Sequence, residues 1–462
     1  MSGEYEVYAS PGELAESPPT ILSVGFPVSP FAGTEYWGPN GDYPSVINFT
    51  NDPSGVRYRD GPIIIIVQEA NLTIETGATL QLNDSVTFVI ENPVATPHEY
   101  GIDIQLGGKF IINSPLRTTI IQPPSSALTR TYPFLNSGVV DFLGANVTYT
   151  YGPSNLALAG GIQNKPGSIC NLTDCRVEFA DTHSVMADNS DMRLDGAGTL
   201  VGKGNNNPPF PKGSGITVVG NSNVVVDGIT VEYTERHGIK CVDADNVAII
   251  NGATIQSCNG DGIHLSNSDT VIGYAKVADN KGDGLVVVNG SVPQIEHNNI
   301  SWNAKNGIRA EGAVPIITNN NTIQYNRLHG VYVNNVWSNV ALIDNNTIKD
   351  NFGSGIYAAN TNITISNNTI SSNGLDPVFE DDFETATGNW TASGLWHRVN
   401  ATDPNAPSWN ISHSRDWAYR YGRYGNGTYS TGARTYGNLT SSTIDLRNAT
   451  SAALVFWNWY ET

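Results

Sequence analysis

Charge is scarce in this chain of 462 residues: 15% are charged, and 24 Lys and Arg stand against 43 Asp and Glu, a net charge of −19. So acidic a balance argues against nucleic acid or an anionic membrane surface as partner, because both need basic patches. Cation binding stays open. Long apolar runs are missing as well: the longest, Ile63 to Val67, is strand-sized, far below the ~20 residues of a membrane-spanning helix. The opening Met1-Ser2-Gly3-Glu4 lacks the basic and apolar regions of a secretory signal, so either one was removed or the protein is not secreted. Only four cysteines are present, and no Cys or His spacing suggests a zinc site. Cys170 and Cys175 flank one expected turn, which suits either a local disulfide or two small buried hydrophobes. Cys241 and Cys258 fall on repeat positions and read as structural.

Helical periodicity is absent too, and a different period takes its place between Val231 and Asn373. Glycine-aliphatic pairs recur at Gly238-Ile239, Gly262-Ile263, Gly284-Leu285, Gly307-Ile308, Gly330-Val331 and Gly355-Ile356. Seven residues before each glycine stands an aliphatic residue (Val231, Ile255, Val277, Ile300, Ile323, Ile348), and Ile370 continues the column. Asparagine precedes the later aliphatics by two (Asn298, Asn321, Asn346, Asn368) or follows by three (Asn280, Asn303, Asn326, Asn351, Asn373). A period of 22 to 25 residues built from β-type runs is the signature of a solenoid, in which each coil buries its apolar side on its neighbours. Inward aliphatics, amide ladders of stacked asparagines and glycine at a bend or close approach account for one rung.

Allowing insertions, the column extends back through Gly215-Ile216, Ser184-Val185, Gly161-Ile162, Gly138-Val139 and Gly101-Ile102. That makes about eleven rungs, at ~4.8 Å each. Strands are also expected at Ile63–Val67 and Leu72–Leu80, and residues 1–60, rich in Pro, Gly, Ser and Tyr, read as an arm or cap. The fold class is all-β: a β-helix over 61–377 and a separate unit over 378–462. The motif Asn-Asn-Thr-Ile-x-x-Asn followed by Gly-Ile resembles the right-handed parallel β-helix repeats of the pectate-lyase-like superfamily, in its carbohydrate-binding and sugar-hydrolase branch. That resemblance implies the fold and leaves the activity open, since the superfamily holds lyases, hydrolases, epimerases, tailspikes and adhesins.

After Gly374 the period stops, and six of the nine tryptophans follow. The stretches Phe379–Glu384, Gly394–His397, Gly427–Ala433 and Leu439–Leu446 resemble the jelly-roll β-sandwich of immune-inhibitor-type secreted proteins. The sequence stops at Trp457–Tyr460 in what would be a central strand, so a longer natural chain is expected. Asp381, Asp382 and Glu384 could help hold calcium, though acids on a solvated edge explain them equally. Asn-x-Ser/Thr sequons at Asn389, Asn400, Asn410, Asn426, Asn438 and Asn448 lie outside the repeat and point to N-glycosylation.

Chemistry on a β-helix sits on an outer strand face. Stacking would gather Lys240, His264, Asp261, Asp283 and Arg309 as catalytic candidates, with His237, His329, Tyr332 and Tyr357 as substrate contacts. Asp261 and Asp283, about 5 Å apart on adjacent rungs, suit raising one carboxyl pKa or sharing a cation. Lys240, His264 or Arg309 suits a base or charge neutraliser in β-elimination from a uronic acid, and the tyrosines suit sugar rings. Ordinary turn chemistry explains the same residues before glycine. Within the repeat the polygalacturonase motifs Asp-Asp, Gly-His-Gly and Arg-Ile-Lys and the Asp-Pro-His of alginate epimerases are absent. The leading expectation is an extracellular or cell-surface glycoprotein, a rigid spacer or adhesin contacting polysaccharide or copies of itself, as in a surface layer or filament. The alternative is a lyase or glycoside hydrolase acting on an acidic polysaccharide.

Overall fold

In the computed structural model, residues 33–93, 99–124, 132–148, 150–151, 160–180, 183–202, 213–374, 381, 383–384, 390–400, 417–423, 428 and 432–444 are described. Up to Ser371 they wind into a parallel β-helix of three strands per coil. The strands that open with the glycine-aliphatic pair pair in register rung on rung, Ile239 with Ile263, Leu285 with Ile308, Val331 with Ile356. The aliphatic column marks the third strand of each coil, which stacks into a 14-stranded sheet. Alternation puts Ile263 and Leu265 inside and His264 between them outside, so the core is one continuous column of fully buried side chains. No helix is long and apolar enough to cross a membrane.

The glycine column serves close approach. None of Gly238, Gly262, Gly284, Gly307, Gly330 and Gly355 has positive φ, yet a Cβ at Gly284 would lie 2.6 Å from the Gly307 carbonyl oxygen. Both asparagine columns form ladders flanking the third sheet. Asn303 Nδ2 donates to Asn326 Oδ1 (2.9 Å) and to the Val277 carbonyl (3.2 Å), while Asn303 Oδ1 accepts from Asn280 Nδ2 (3.0 Å) and the Asn280 N–H (3.2 Å). Asn298, Asn321, Asn346 and Asn368 repeat this on the other edge. In the sequons at Asn320, Asn345 and Asn367 the first asparagine is exposed at positive φ and the second is the ladder rung.

Three expectations need correction. Gly138-Val139 does not open a first strand: Phe134 stacks between Ile102 and Ile162, and Val139–Leu143 is a second strand, so Leu135 replaces Val140 in the outward row. A 32-residue step in that coil hid the shift. The column also reaches further back, because Leu72–Ile74 and Val46–Ile47 continue it below Ile102. The described part of the expected arm is itself coil, with Gly33–Trp37 and Val56–Arg59 paired in parallel to the next rung. Trp37 is fully buried and packs edge-on against Phe88 (5.7 Å), opening an aromatic run through Phe110, Phe134 and Phe142 that replaces aliphatics in the early coils. Of the two readings of Cys170 and Cys175 the structure shows the second: both are free, buried thiols, pushed up to about 12 chiefly by burial. Cys241 is buried in the core, and Cys258 begins an asparagine ladder by donating its N–H to Asn280 Oδ1 (3.1 Å).

In the tail, the described strands make two antiparallel pairs, Trp390–Ala392 with Leu439–Ser441 and Trp396–Asn400 with Trp417–Tyr421. Their aromatics pack together, Phe383 on Trp390 (5.4 Å) and Tyr419 (5.2 Å), with the Arg398 guanidinium 3.7 Å from the centre of the Trp417 ring.

Candidate functional site

The outer face of the first sheet carries the expected residues, held by a device that the sequence did not reveal. From His237 to His329 the residue before each glycine accepts, through its side chain, the backbone N–H of its counterpart one coil on. His237 Nδ1 accepts from Asp261 N–H (3.2 Å), Asp261 Oδ1 from Asp283 N–H (3.0 Å), Asp283 Oδ1 from Asn306 N–H (2.9 Å), Asn306 Oδ1 from His329 N–H (3.1 Å), and His329 Nδ1 from Ser354 N–H (3.0 Å). His183 does the same for Ser214 (2.9 Å). His, Asp and Asn share one property here: a short side chain with an acceptor lone pair. The signal was legible as a column restricted to acceptors.

That ladder fixes the chemistry. The Asp261 carboxylate also receives His264 Nδ1 at 3.1 Å on Oδ2, and the His237 and His264 rings lie 4.6 Å apart. Burial raises the Asp261 pKa, but the two imidazoles and the Asp283 N–H lower it more, and the carboxyl stays well below the usual range. The expectation that the Asp261–Asp283 pair raises one carboxyl is therefore not met for Asp261. Asp283 is nearly buried and holds Arg309 Nε at 2.9 Å, while Arg309 Nη1 reaches Glu311 (3.2 Å). Val286, fully buried between His264 and Arg309 in register, divides the expected single polar patch. On one side stand Lys240, with no hydrogen bond or ion pair among the described residues, His237, Asp261 and His264. On the other, past Arg309, the rings of Tyr332 and Tyr357 stack at 5.3 Å and 2°, with His329 4.9 Å from Tyr357. His329 is pushed down by burial, which keeps its Nδ1 a lone-pair acceptor.

His183 makes the ladder testable by pH. Burial, with Lys240 and Arg236 nearby, lowers it from 6.5 to about 4. An unfolded chain then takes up the proton first as pH falls, so the folded state loses stability between about 6.5 and 4. We expect His183→Gln, which keeps an acceptor without the titration, to flatten the fall in melting temperature over that window. An unchanged pH profile would contradict the placement.

Elsewhere, Asn400 is half-buried in its strand and Asn438 is exposed, whereas Asn389, Asn410, Asn426 and Asn448 lie outside the described residues. Asp382 lies outside them too; Asp381 receives Phe383 N–H (2.8 Å) and Trp390 Nε1 (3.1 Å), and Glu384 receives Trp417 N–H (3.1 Å). Among the described residues the group of donors close enough to share a metal ion is His237, Asp261 and His264, whose donor atoms lie within 4.8 Å of one another.

These features define a right-handed parallel β-helix with a mixed polar and aromatic outer face. Residues 242–394 match the family described as "Right handed beta helix region", and residues 146–315 match "Periplasmic copper-binding protein (NosD)". Among solved structures, the chain is similar to the periplasmic alginate epimerase AlgG at 13% identity and a TM-score of 0.50, covering 69% of this chain and 78% of that one. It is also similar to the A-module of mannuronan C-5 epimerase AlgE6 of Azotobacter vinelandii (14%, 69% and 91%, TM-score 0.47) and to PfbA, a surface adhesin of Streptococcus pneumoniae (11%, 70% and 84%, TM-score 0.25). At such identities the likeness concerns the fold. No curated protein matches the chain.

Proposed function

We propose that this protein is an extracytoplasmic, glycan-contacting β-helix whose contact surface is the outer face of the first sheet. The observation that carries it is the stacked Tyr332–Tyr357 pair, with His329 behind it, beside Arg309 on one strand face. Flat rings suit the C–H face of a pyranose, and Arg309 and Lys240 suit a carboxylate, so an acidic polysaccharide is the best match. The sequons, and relatives described as periplasmic or surface proteins, support a place outside the cytoplasm. N-glycosylation, a tail jelly roll and self-assembly at the C-terminal coil, where Ile370 is 48% exposed, belong to this proposal. Calorimetric titration with hexagalacturonate is the test. The double variant Tyr332→Ala, Tyr357→Ala is expected to weaken binding about tenfold, at ~0.5–1.5 kcal/mol per ring. Unaltered affinity in a folded variant would end the reading.

A second reading, a lyase on the same polymer, is favoured by one arrangement. With His264 Nδ1–H donating to Asp261, the Nε2 lone pair is left as a base, and Lys240 is near enough in register to oppose a uronate charge. It requires that the wild type generate unsaturated uronate and that His264→Ala abolish this.

Copper fits poorly here. Two imidazoles and a carboxylate are suitable donors, but the lone pair of His237 Nδ1 already accepts Asp261 N–H, and His264 Nδ1 carries the proton given to Asp261. An ion held by the Nδ1 atoms would have to break the ladder, His264 Nε2 is the one imidazole lone pair of the group left free, and the four thiols are buried.

A further inference from the structure

The turn that leads from the third strand back to the first carries a second surface. Two residues after each aliphatic of the third strand the chain turns through positive φ, and the residues there are Tyr233, Ser257, Asp279, Trp302, Tyr325 and Asp350. The left-handed region favours Asn, Asp and Gly and disfavours bulky side chains. The turn after the first strand obeys this preference, with Asn189, Asp243, Asn267, Asn289, Asn335 and Asn360 at positive φ. Aromatics in the equivalent strained position, which asparagine would occupy at lower cost, therefore call for a reason beyond the turn.

Their geometry supplies one. Trp302 and Tyr325 stack with ring centres 4.3 Å apart and planes 16° from parallel, and both are only half-buried. One coil before Trp302 stands Asp279, half-buried, with no hydrogen bond or ion pair among the described residues; burial raises it to about 6, with Lys276 opposing. Next come Ser257 and Tyr233, both half-buried. A wall of stacked rings thus adjoins a floor of hydroxyls and one carboxyl without a partner. The ring wall matches the apolar face of a sugar, and the floor matches its hydroxyls.

We propose that the column Tyr233–Ser257–Asp279–Trp302–Tyr325 is a second saccharide-binding site, specific for a neutral pyranose glycan. Neutrality follows from the Asp279 carboxyl, which has no hydrogen bond or ion pair among the described residues, together with Glu232; both repel a uronate. The proposal does not depend on the first-sheet reading, because the two faces are tested by differently charged probes.

The test is calorimetric titration of the full chain with cellohexaose, xylohexaose and mannohexaose, and separately with hexagalacturonate. Trp302→Asn and Tyr325→Asn are the informative variants, since asparagine suits the turn and leaves the rod folded. At least one neutral hexaose is expected to bind saturably; each variant lowers that affinity at least fivefold, Asp279→Ala also lowers it, and melting temperatures do not fall. Hexagalacturonate binding and the effect of Tyr357→Ala on it stay as in the wild type. The proposal is overturned if no neutral hexaose binds, if both asparagine variants bind as the wild type does, or if Tyr357→Ala is the change that removes neutral-glycan binding.

Discussion

Replacing Gly307 by alanine is expected to disrupt the middle of the rod. The added Cβ would lie 2.6 Å from the Gly330 carbonyl oxygen, 2.6 Å from Ile323 Cγ2 and 2.8 Å from Asn326 Nδ2. The carbonyl cannot retreat freely, because it accepts the Ile308 N–H at 2.9 Å and thereby joins two coils. The amide cannot retreat either, since it bridges to Asn351 at 2.9 Å. Overpacking of a tight interior costs about 1–3 kcal/mol, and with two rigid neighbours Gly307→Ala belongs at the upper end. Gly290→Ala provides the contrast: its φ of +84° strains an alanine, but nothing lies within 4 Å. It should cost about 1 kcal/mol through the backbone alone. Urea midpoints measured by circular dichroism separate the two, and a smaller effect at Gly307 than at Gly290 would mean that the coils are not packed this closely.

Asn303→Ala is expected to cost more, about 3–6 kcal/mol. It strands the buried Asn280 N–H and takes a partner from the Val277 carbonyl, from the Asn280 amide, which keeps only a 3.4 Å contact to the Ile255 carbonyl, and from Asn326 Oδ1, which keeps the backbone N–H of position 303. Each unmet buried group costs ~1–3 kcal/mol, with partial relaxation between them. Asn303→Asp should be no better, since a carboxylate keeps the acceptor but places charge against Asn326 Oδ1 without a donor. The exposed Asn320, at positive φ and outside the ladder, should tolerate alanine at about 1 kcal/mol. Melting curves for the three variants make the comparison. Equal losses at Asn303 and Asn320 would dissolve the ladder argument.

Much of this was readable from residues alone, because a solenoid writes its register into its sequence. The glycine column, the aliphatic column and both asparagine columns landed on the positions that their spacing implied. Where the steps were irregular the register slipped. Phe134 took the place expected for Val139, since an aromatic strand without a preceding glycine does not match the motif. Facing was legible, but hydrogen bonding was not. Spacing placed Asp261 and Asp283 on one column, yet it could not show that each takes a neighbour's N–H on Oδ1 and so holds two coils together. The same limit concealed Trp302 and Tyr325: alternation predicts inside or outside and says nothing of residues at positive φ in turns. An aromatic recurring two places after the column aliphatic was the available signal.

The account stands on the outer face of the first sheet being the surface that meets an acidic glycan. Hydroxyl-radical footprinting of the chain, with and without saturating hexagalacturonate, reads this directly. Protection should centre on His264, Tyr332 and Tyr357, with Trp302, Tyr325 and the tail aromatics Trp396 and Tyr421 unchanged. Protection confined to the tail or to the third-sheet edge, with Tyr357 equally reactive in both states, would contradict it.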